Sequence, residues 1–228
     1  MSTGILDLDF SSIPGALPIL ANGLATTFEI TVAAFIIGVG WGIVLAVMRL
    51  SGNKPLAFFA TSYVNLFRSV PLVMVILWFY LIVPQLLKSI FGEGIADIRF
   101  ASALTAFCLF EAAYFSEIVR AGIQSVSKGQ ISASYAMGFT YLQTMRLIIL
   151  PQALRNMMPL LVTQLVILFQ DTSLVYVIGL ADFFGSAYKV GDRDGRLVEL
   201  LLFAGVIYFI LCFALSTAAK RLQKRNVR

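Results

Sequence analysis

Apolar residues run along this chain in long, nearly uninterrupted stretches rather than in the spaced stripes of a soluble domain. Crossing a bilayer as a helix takes about 20 such residues, because every backbone polar group must be satisfied within the segment. Five stretches qualify, at about 24–48, 56–87, 100–119, 154–180 and 197–219. The first has no charge between Glu29 and Arg49, the second is interrupted by Arg68 and Pro71, the third contains Glu111 and Glu117, and the fourth contains Asp171. The second and fourth are long enough to tilt, kink or carry a re-entrant piece. The pattern predicts an all-α, polytopic membrane protein with five transmembrane helices in one domain at 21–219. A short outer segment, 1–20, precedes it, where Pro14 and Pro18 argue against a continuous helix. A basic tail, 220–228, follows it.

The longest polar connection, about 121–151, is neither apolar enough to span nor polar enough to be disordered. Ile131, Tyr135, Leu142, Met145 and Ile149 recur there at helical spacing among Gln130, Ser132, Ser134, Gln143 and Arg146. Gly138 lies between the halves, where it allows a tight turn. Pro151 suits a break or a first helical turn before the fourth span. Two short amphipathic helices are expected, serving either as an interfacial pair resting on lipid or as a docking element for a partner.

Composition agrees with the pattern: 59% of residues are hydrophobic, 13% are charged, and the mean hydropathy is +0.89. Roughly a quarter of an ordinary soluble chain is charged. Lys and Arg fix the orientation. With five spans, eleven fall on one set of loops and the tail, five on the opposite set, and Arg68 lies inside a span. The positive-inside rule puts the N-terminus outside and the C-terminus in the cytoplasm. Asp7, Asp9, Glu93, Asp97, Asp182, Asp192 and Asp194 then fall outside. No Lys or Arg occurs in the first twenty residues, so a signal-peptide n-region is not expected and the first span is retained. The net charge of +5 sits beside span ends, where it serves topology and anionic lipid rather than nucleic acid. Cys108 and Cys212 fall within spans and read as small buried hydrophobes. With no His in the chain, the commonest metal ligand and general base is missing.

Ionisable groups at membrane depth are costly and therefore candidates for function. Arg68, about 12 residues into the second stretch, counts to the midplane at about 1.5 Å per residue, and its guanidinium suits a carboxylate. Asp171, beside Gln170, Thr172 and Ser173, suits an ammonium. The alternative is a structural bridge from Arg68 to Asp171 or to Glu111. Glu117 stands three residues before Arg120, a spacing that favours a local ion pair. Pro71 with Ser69 is expected to bend the second span.

A resemblance adds to these readings. Gly138, nine residues, then Ile148-Ile149-Leu150-Pro151 is similar to the "EAA" loop of ABC-importer permeases, with Ser132, Ala133 and Ser134 at the EAA positions, so that the Glu and the second Ala are replaced. Tyr63 through Leu72, Glu111-Ala112-Ala113-Tyr114, Glu117 through Ile123, Lys128-Gly129-Gln130 and Gln170 through Leu174 resemble the polar-amino-acid permeases. Leu77 through Pro84, Gln170 through Tyr176 and Ala181-Asp182-Phe183-Phe184 resemble the glutamate/aspartate branch of that family. The resemblance covers roughly residues 20–220. It implies a type I importer fold in a bacterial inner membrane, import of polar amino acids such as glutamate and aspartate, and a 121–151 loop that meets an ATPase through Ser132, Ala133, Ser134, Gly138, Ile148, Leu150 and Pro151. It implies as partners a second permease subunit, as heterodimer or homodimer, two ATP-binding subunits and an extracytoplasmic amino-acid-binding protein. Its substrate pathway would draw on Arg68, Glu111, Gln170, Asp171, Thr172 and Ser173.

No cofactor, metal or catalytic residue is expected. The chain has no phosphate loop of the Gly-x-x-x-x-Gly-Lys-Ser/Thr kind, so ATP must be hydrolysed elsewhere. An ion-coupled secondary carrier using Glu111 and Asp171 is the rival reading, and such carriers usually show internal repeats. None is visible. A scaffold without transport leaves the loop and the buried polar residues without a purpose.

Overall fold

In the computed structural model, residues 8–91 and 98–226 are described; Asp7, Glu93, Asp97 and Arg228 lie outside them. Helices account for the spans. They are α1 (Ile13–Leu50), α2 (Lys54–Arg68), α3 (Leu72–Phe91), α4 (Arg99–Gln124), α5 (Lys128–Ala136), α6 (Tyr141–Gln143), α7 (Leu150–Asp171), α8 (Phe183–Asp194) and α9 (Leu197–Asn226). A π-helical turn, Thr144–Ile149, joins α6 to α7, and a 3₁₀ turn, Thr172–Ile178, follows α7. Among the described residues four helices are long and apolar enough to cross a membrane, or five when α2 and α3 count as one bent span.

One boundary departs from expectation, and the bend expected at Pro71 is sharper than a kink. α1 begins at Ile13 and runs through both prolines. Pro14 falls in the first turn, where a missing N–H costs nothing, and Pro18 forfeits only the bond that would have reached the Pro14 carbonyl. The second apolar stretch is two helices. Ser69 caps α2, donating its N–H to the Asn65 and Leu66 carbonyls, and Pro71 disfavours helical backbone at Val70. The axes of α2 and of α3 as far as Gln85 differ by 102°. Arg68 is therefore the last residue of a short helix and not the midpoint of an unbroken one.

The chain divides into two compact units. One comprises residues 1–33, 72–107 and 167–215, the other 34–71, 108–166 and 216–228. In the first, Ala16 and Leu20 of α1 pack with Phe183, Ala187 and Val190 of α8 and with Leu200 and Ala204 of α9. The approach is close at Gly23, where a Cβ would fall 2.6 Å from the Asp182 carbonyl. Thr27 then accepts the Phe183 N–H at 3.0 Å. Asp182, fully buried, caps α8 by accepting from the N–H groups of Gly185 at 2.8 Å and Phe184 at 3.1 Å. Desolvation pushes its carboxyl up to about 6.

In the second unit α1 lies on α4. A Cβ on Gly42 would meet the Phe115 Cβ at 2.7 Å and the Ala112 carbonyl at 3.0 Å, and one on Gly38 would meet the Phe115 ring at 3.2 Å. Two glycines four apart give the small-residue face that lets membrane helices approach closely. Leu45, Ala60, Val64, Ala112 and Ala113 form the adjoining core, and Tyr63 of α2 donates its hydroxyl to the Leu109 carbonyl at 2.8 Å.

Candidate functional site

At the C-terminal end of α2, Arg68 lies half exposed, its guanidinium over the Tyr114 ring at 5.5 Å and 3.4 Å from Glu117 Oε1. Glu117 is the hub of a larger cluster. Its Oε1 accepts from Arg49 Nη1 at 2.8 Å, and its Oε2 accepts from Arg120 Nη2 at 2.7 Å and Nε at 3.1 Å. One carboxylate thus faces three guanidinium groups, a local surplus of positive charge held on α1, α2 and α4. The local Glu117–Arg120 pair expected from spacing is present. Arg68 pairs with Glu117 rather than with Asp171 or Glu111, and its head is at the level of Arg49 in the last turn of α1. The count that placed it at the midplane assumed a continuous helix.

Glu111 is completely buried in the same unit, its Oε2 accepting from Gln164 Nε2 of α7 at 2.9 Å. Asp171 belongs to the other unit and ends α7 half-buried, with Gln170 exposed beside it. Thr172 is buried with its hydroxyl on the Phe169 carbonyl at 2.7 Å, and Ser173 is half-buried. This polar stretch starts the 3₁₀ turn, which packs against α3 and α8 and ends at Gly179 with φ +72. The Gly179 carbonyl accepts from Arg99 and from Lys189, each at 3.1 Å, so two cations sit where a helix end concentrates negative charge. Asn156 and Thr163, exposed on α7 fourteen and seven residues before Gln170, are held locally: Asn156 donates to Ser125 Oγ at 2.7 Å and Thr163 donates its hydroxyl to the Pro159 carbonyl at 3.0 Å.

The 121–151 connection holds α5, α6 and the π turn. Ser132 and Ala133 are exposed on α5 and Ser134 is buried. Gly138 takes φ +83, the left-handed turn its position suggested. The second half differs from expectation: from Tyr141 the chain stays helical to Ile178. Leu150 donates its N–H to the Met145 carbonyl, five residues back, and this wide turn accommodates Pro151 without a break. Ile148 is half-buried and Leu150 exposed. Tyr135, Met137, Tyr141 and Leu142 also stand exposed around the turn.

Several helices long and apolar enough to cross a membrane, a broken span and a capped polar loop define a polytopic membrane protein. Residues 38–228 match the family of binding-protein-dependent transport system inner membrane components, and the chain belongs to that family. It is 57% identical over 221 residues to the glutamate/aspartate import permease of Escherichia coli, covering 96% of this chain and 99% of that one. It is 37% identical to an arginine transport system permease of Bacillus subtilis, covering 96% and 98%. A crystal structure of an amino acid ABC transporter with histidines superposes with a TM-score of 0.88 at 32% identity, covering 96% and 100%. The chain is accordingly the membrane component of an ABC importer, with the type I fold, and a transport subunit rather than an enzyme.

Proposed function

We propose that this chain moves glutamate and aspartate into the bacterial cytoplasm in an ATP-driven importer. The 57% identity to a glutamate/aspartate permease along nearly the whole chain carries this reading. The chain pairs with a second permease subunit, two ATP-binding subunits and an extracytoplasmic amino-acid-binding protein. Its N-terminus faces out and its C-terminus faces the cytoplasm, which puts Arg49, Arg120 and the 121–151 loop on the inner side. Arg68 takes a substrate carboxylate: it is half exposed, and both oxygens of its carboxylate neighbour already accept from other arginines. Asp171, with Gln170 and Ser173, offers acceptors for the ammonium at a separate point of the pathway. Buried Thr172 and Glu111 hold the helices that carry them. The loop from Ser132 to Pro151 seats in the ATPase, so that closure of the ATPase pair reorients the spans.

Uptake into proteoliposomes tests this. The vesicles hold the chain with its sister permease and ATPase, with binding protein outside and ATP inside. Labelled glutamate and aspartate should accumulate only with ATP, while glutamine and arginine should not compete. Uptake driven by a proton gradient without ATP would establish a secondary carrier instead.

A further inference from the structure

The loop contains a device that reading its surface alone does not explain. α5 and the π turn are joined by a reversal with both ends closed. Met137 donates its N–H to the Ala133 carbonyl at 3.1 Å, and Phe139 donates its own to the Ser134 carbonyl at 3.1 Å, with Gly138 left-handed between them. Thr140 opens the next helix with a reciprocal cap: its oxygen accepts the Gln143 N–H at 3.3 Å, and Gln143 Oε1 accepts the Thr140 N–H at 2.8 Å. Closed ends alone do not stop the two arms from rotating about Gly138.

Across the arms, Ser134 Oγ and Thr144 Oγ1 lie 2.9 Å apart, at 1% and 0% exposure. The direction of this bond follows from its neighbours. Ser134 spends its one hydroxyl proton on the Ile131 carbonyl at 2.7 Å, so Thr144 donates to Ser134 and the chain of bonds runs Thr144 to Ser134 to Ile131. Ile131 packs on Val126, Ile149 and Ala153, a core shared with Met145 of the π turn. Thr144 is the first residue of the π turn that continues into α7. Ser134 stands where the loop motif has alanine, which accepts no hydrogen bond.

We infer that the Ser134–Thr144 hydroxyl pair is a positioning clasp that makes α5 and the π turn move as one body, so that force applied at the exposed tip reaches α7. Without it, part of any push on Tyr135, Met137, Tyr141 and Leu142 turns the arms about Gly138 and is lost before α7. This inference rests on the reading of the loop as the ATPase seat, and on no contact with substrate. Thr144→Val is the clean perturbation. It keeps shape and leaves Ser134 satisfied by the Ile131 carbonyl, whereas Ser134→Ala would strand the Thr144 proton.

The test uses the full complex in proteoliposomes, normalised to assembled complex. It measures substrate molecules imported per ATP and the KM for glutamate. Thr144→Val should lower the import-to-ATP ratio about fivefold, the population factor one buried hydrogen bond commands, with KM unchanged. Thr144→Ser should restore it to within about twofold. Leu142→Asp tests the underlying reading and should release the ATPase from the permease. An unchanged ratio in Thr144→Val while Leu142→Asp sheds the ATPase would overturn the clasp and leave the seat standing. A fall in uptake and ATP turnover by one factor would also overturn it, as merely structural. Coupled transport with the ATPase retained in Leu142→Asp would remove the seat, and the clasp with it.

Discussion

Replacing Glu117 by Gln removes the one negative charge from among three arginines. At an effective dielectric near 20, each guanidinium about 4 Å from the carboxylate gains roughly 4 kcal/mol of attraction. The two close partners, Arg49 at 2.8 Å and Arg120 at 2.7 Å, dominate, and Arg68 at 3.4 Å adds less. Against this stand the mutual repulsions of the arginines, already present in the native cluster. After substitution Arg68, 45% exposed, can turn to solvent, but Arg49, 12% exposed, cannot. A buried cation stripped of its partner costs about 3–5 kcal/mol. At about 2–4 °C per kcal/mol for a chain of this size, Glu117→Gln should unfold roughly 10 °C earlier in detergent. Thermal aggregation followed by size-exclusion chromatography reads this directly. Adding Arg49→Met removes the stranded cation, so the double variant should be more stable than Glu117→Gln alone. A shift of less than about 2 °C, or a double variant no better than the single, would refute the view that Glu117 ties the three helices together.

Three further outcomes are expected. Gly42→Val drives a methyl-bearing carbon onto Phe115 and the Ala112 carbonyl and should abolish monodisperse permease, whereas Gly40→Val, with nothing within 4 Å of its Cβ, should leave it intact. Asp182 has its folded-state carboxyl raised to about 6 from 3.8, so the native state keeps a proton that the unfolded chain has released between those values. Stability should therefore fall by about 3 kcal/mol as pH rises from about 4 to 6, and Asp182→Asn, which keeps a capping oxygen, should flatten that slope in thermal unfolding. Gly138→Pro cannot adopt φ +83 and loses the N–H that bonds the Tyr135 carbonyl at 2.9 Å; insertion should survive and ATP-driven uptake should be lost, as measured in vesicles.

What the sequence made legible was whatever depends on local chemistry. Long apolar runs marked α4 and α9 because a bilayer admits few alternatives to a helix there. Gly138 and Pro71 marked a left-handed turn and a break because each restricts or frees its own backbone. The prolines at 14 and 18 misled, since the cost of a proline depends on which N–H it removes: at 14 that group has no partner to lose, and at 18 the loss is one bond to the Pro14 carbonyl. The π turn before Pro151 was invisible for a related reason: the chain met a missing donor by widening the helix, where the pattern suggested a break or a fresh first turn. The pairing of Glu117 with Arg120 followed from spacing. Its pairing with Arg49, 68 residues away, required the packing of α1 on α4, which rests on two glycines that carry no charge signal at all.

The same packing decides what Arg68 is able to do. A structural bridge in its simple form would have consumed the guanidinium in a bidentate pair. Instead Arg49 and Arg120 hold the close positions on Glu117, and Arg68 is kept nearby at 3.4 Å over an aromatic face. An arginine so placed is oriented without being saturated: the carboxylate and Tyr114 limit where it points, and most of its five N–H donors remain for another anion. The positive surplus favours that anion, while Glu117 keeps the surplus from destabilising the helix ends. If Glu117→Gln leaves the protein folded at low temperature, substrate should bind more tightly in its presence, because Arg68 then has no internal carboxylate to leave. Weaker binding of glutamate in that variant, measured by scintillation proximity on the assembled complex, would mean that Arg68 acts through the fold and not on the substrate.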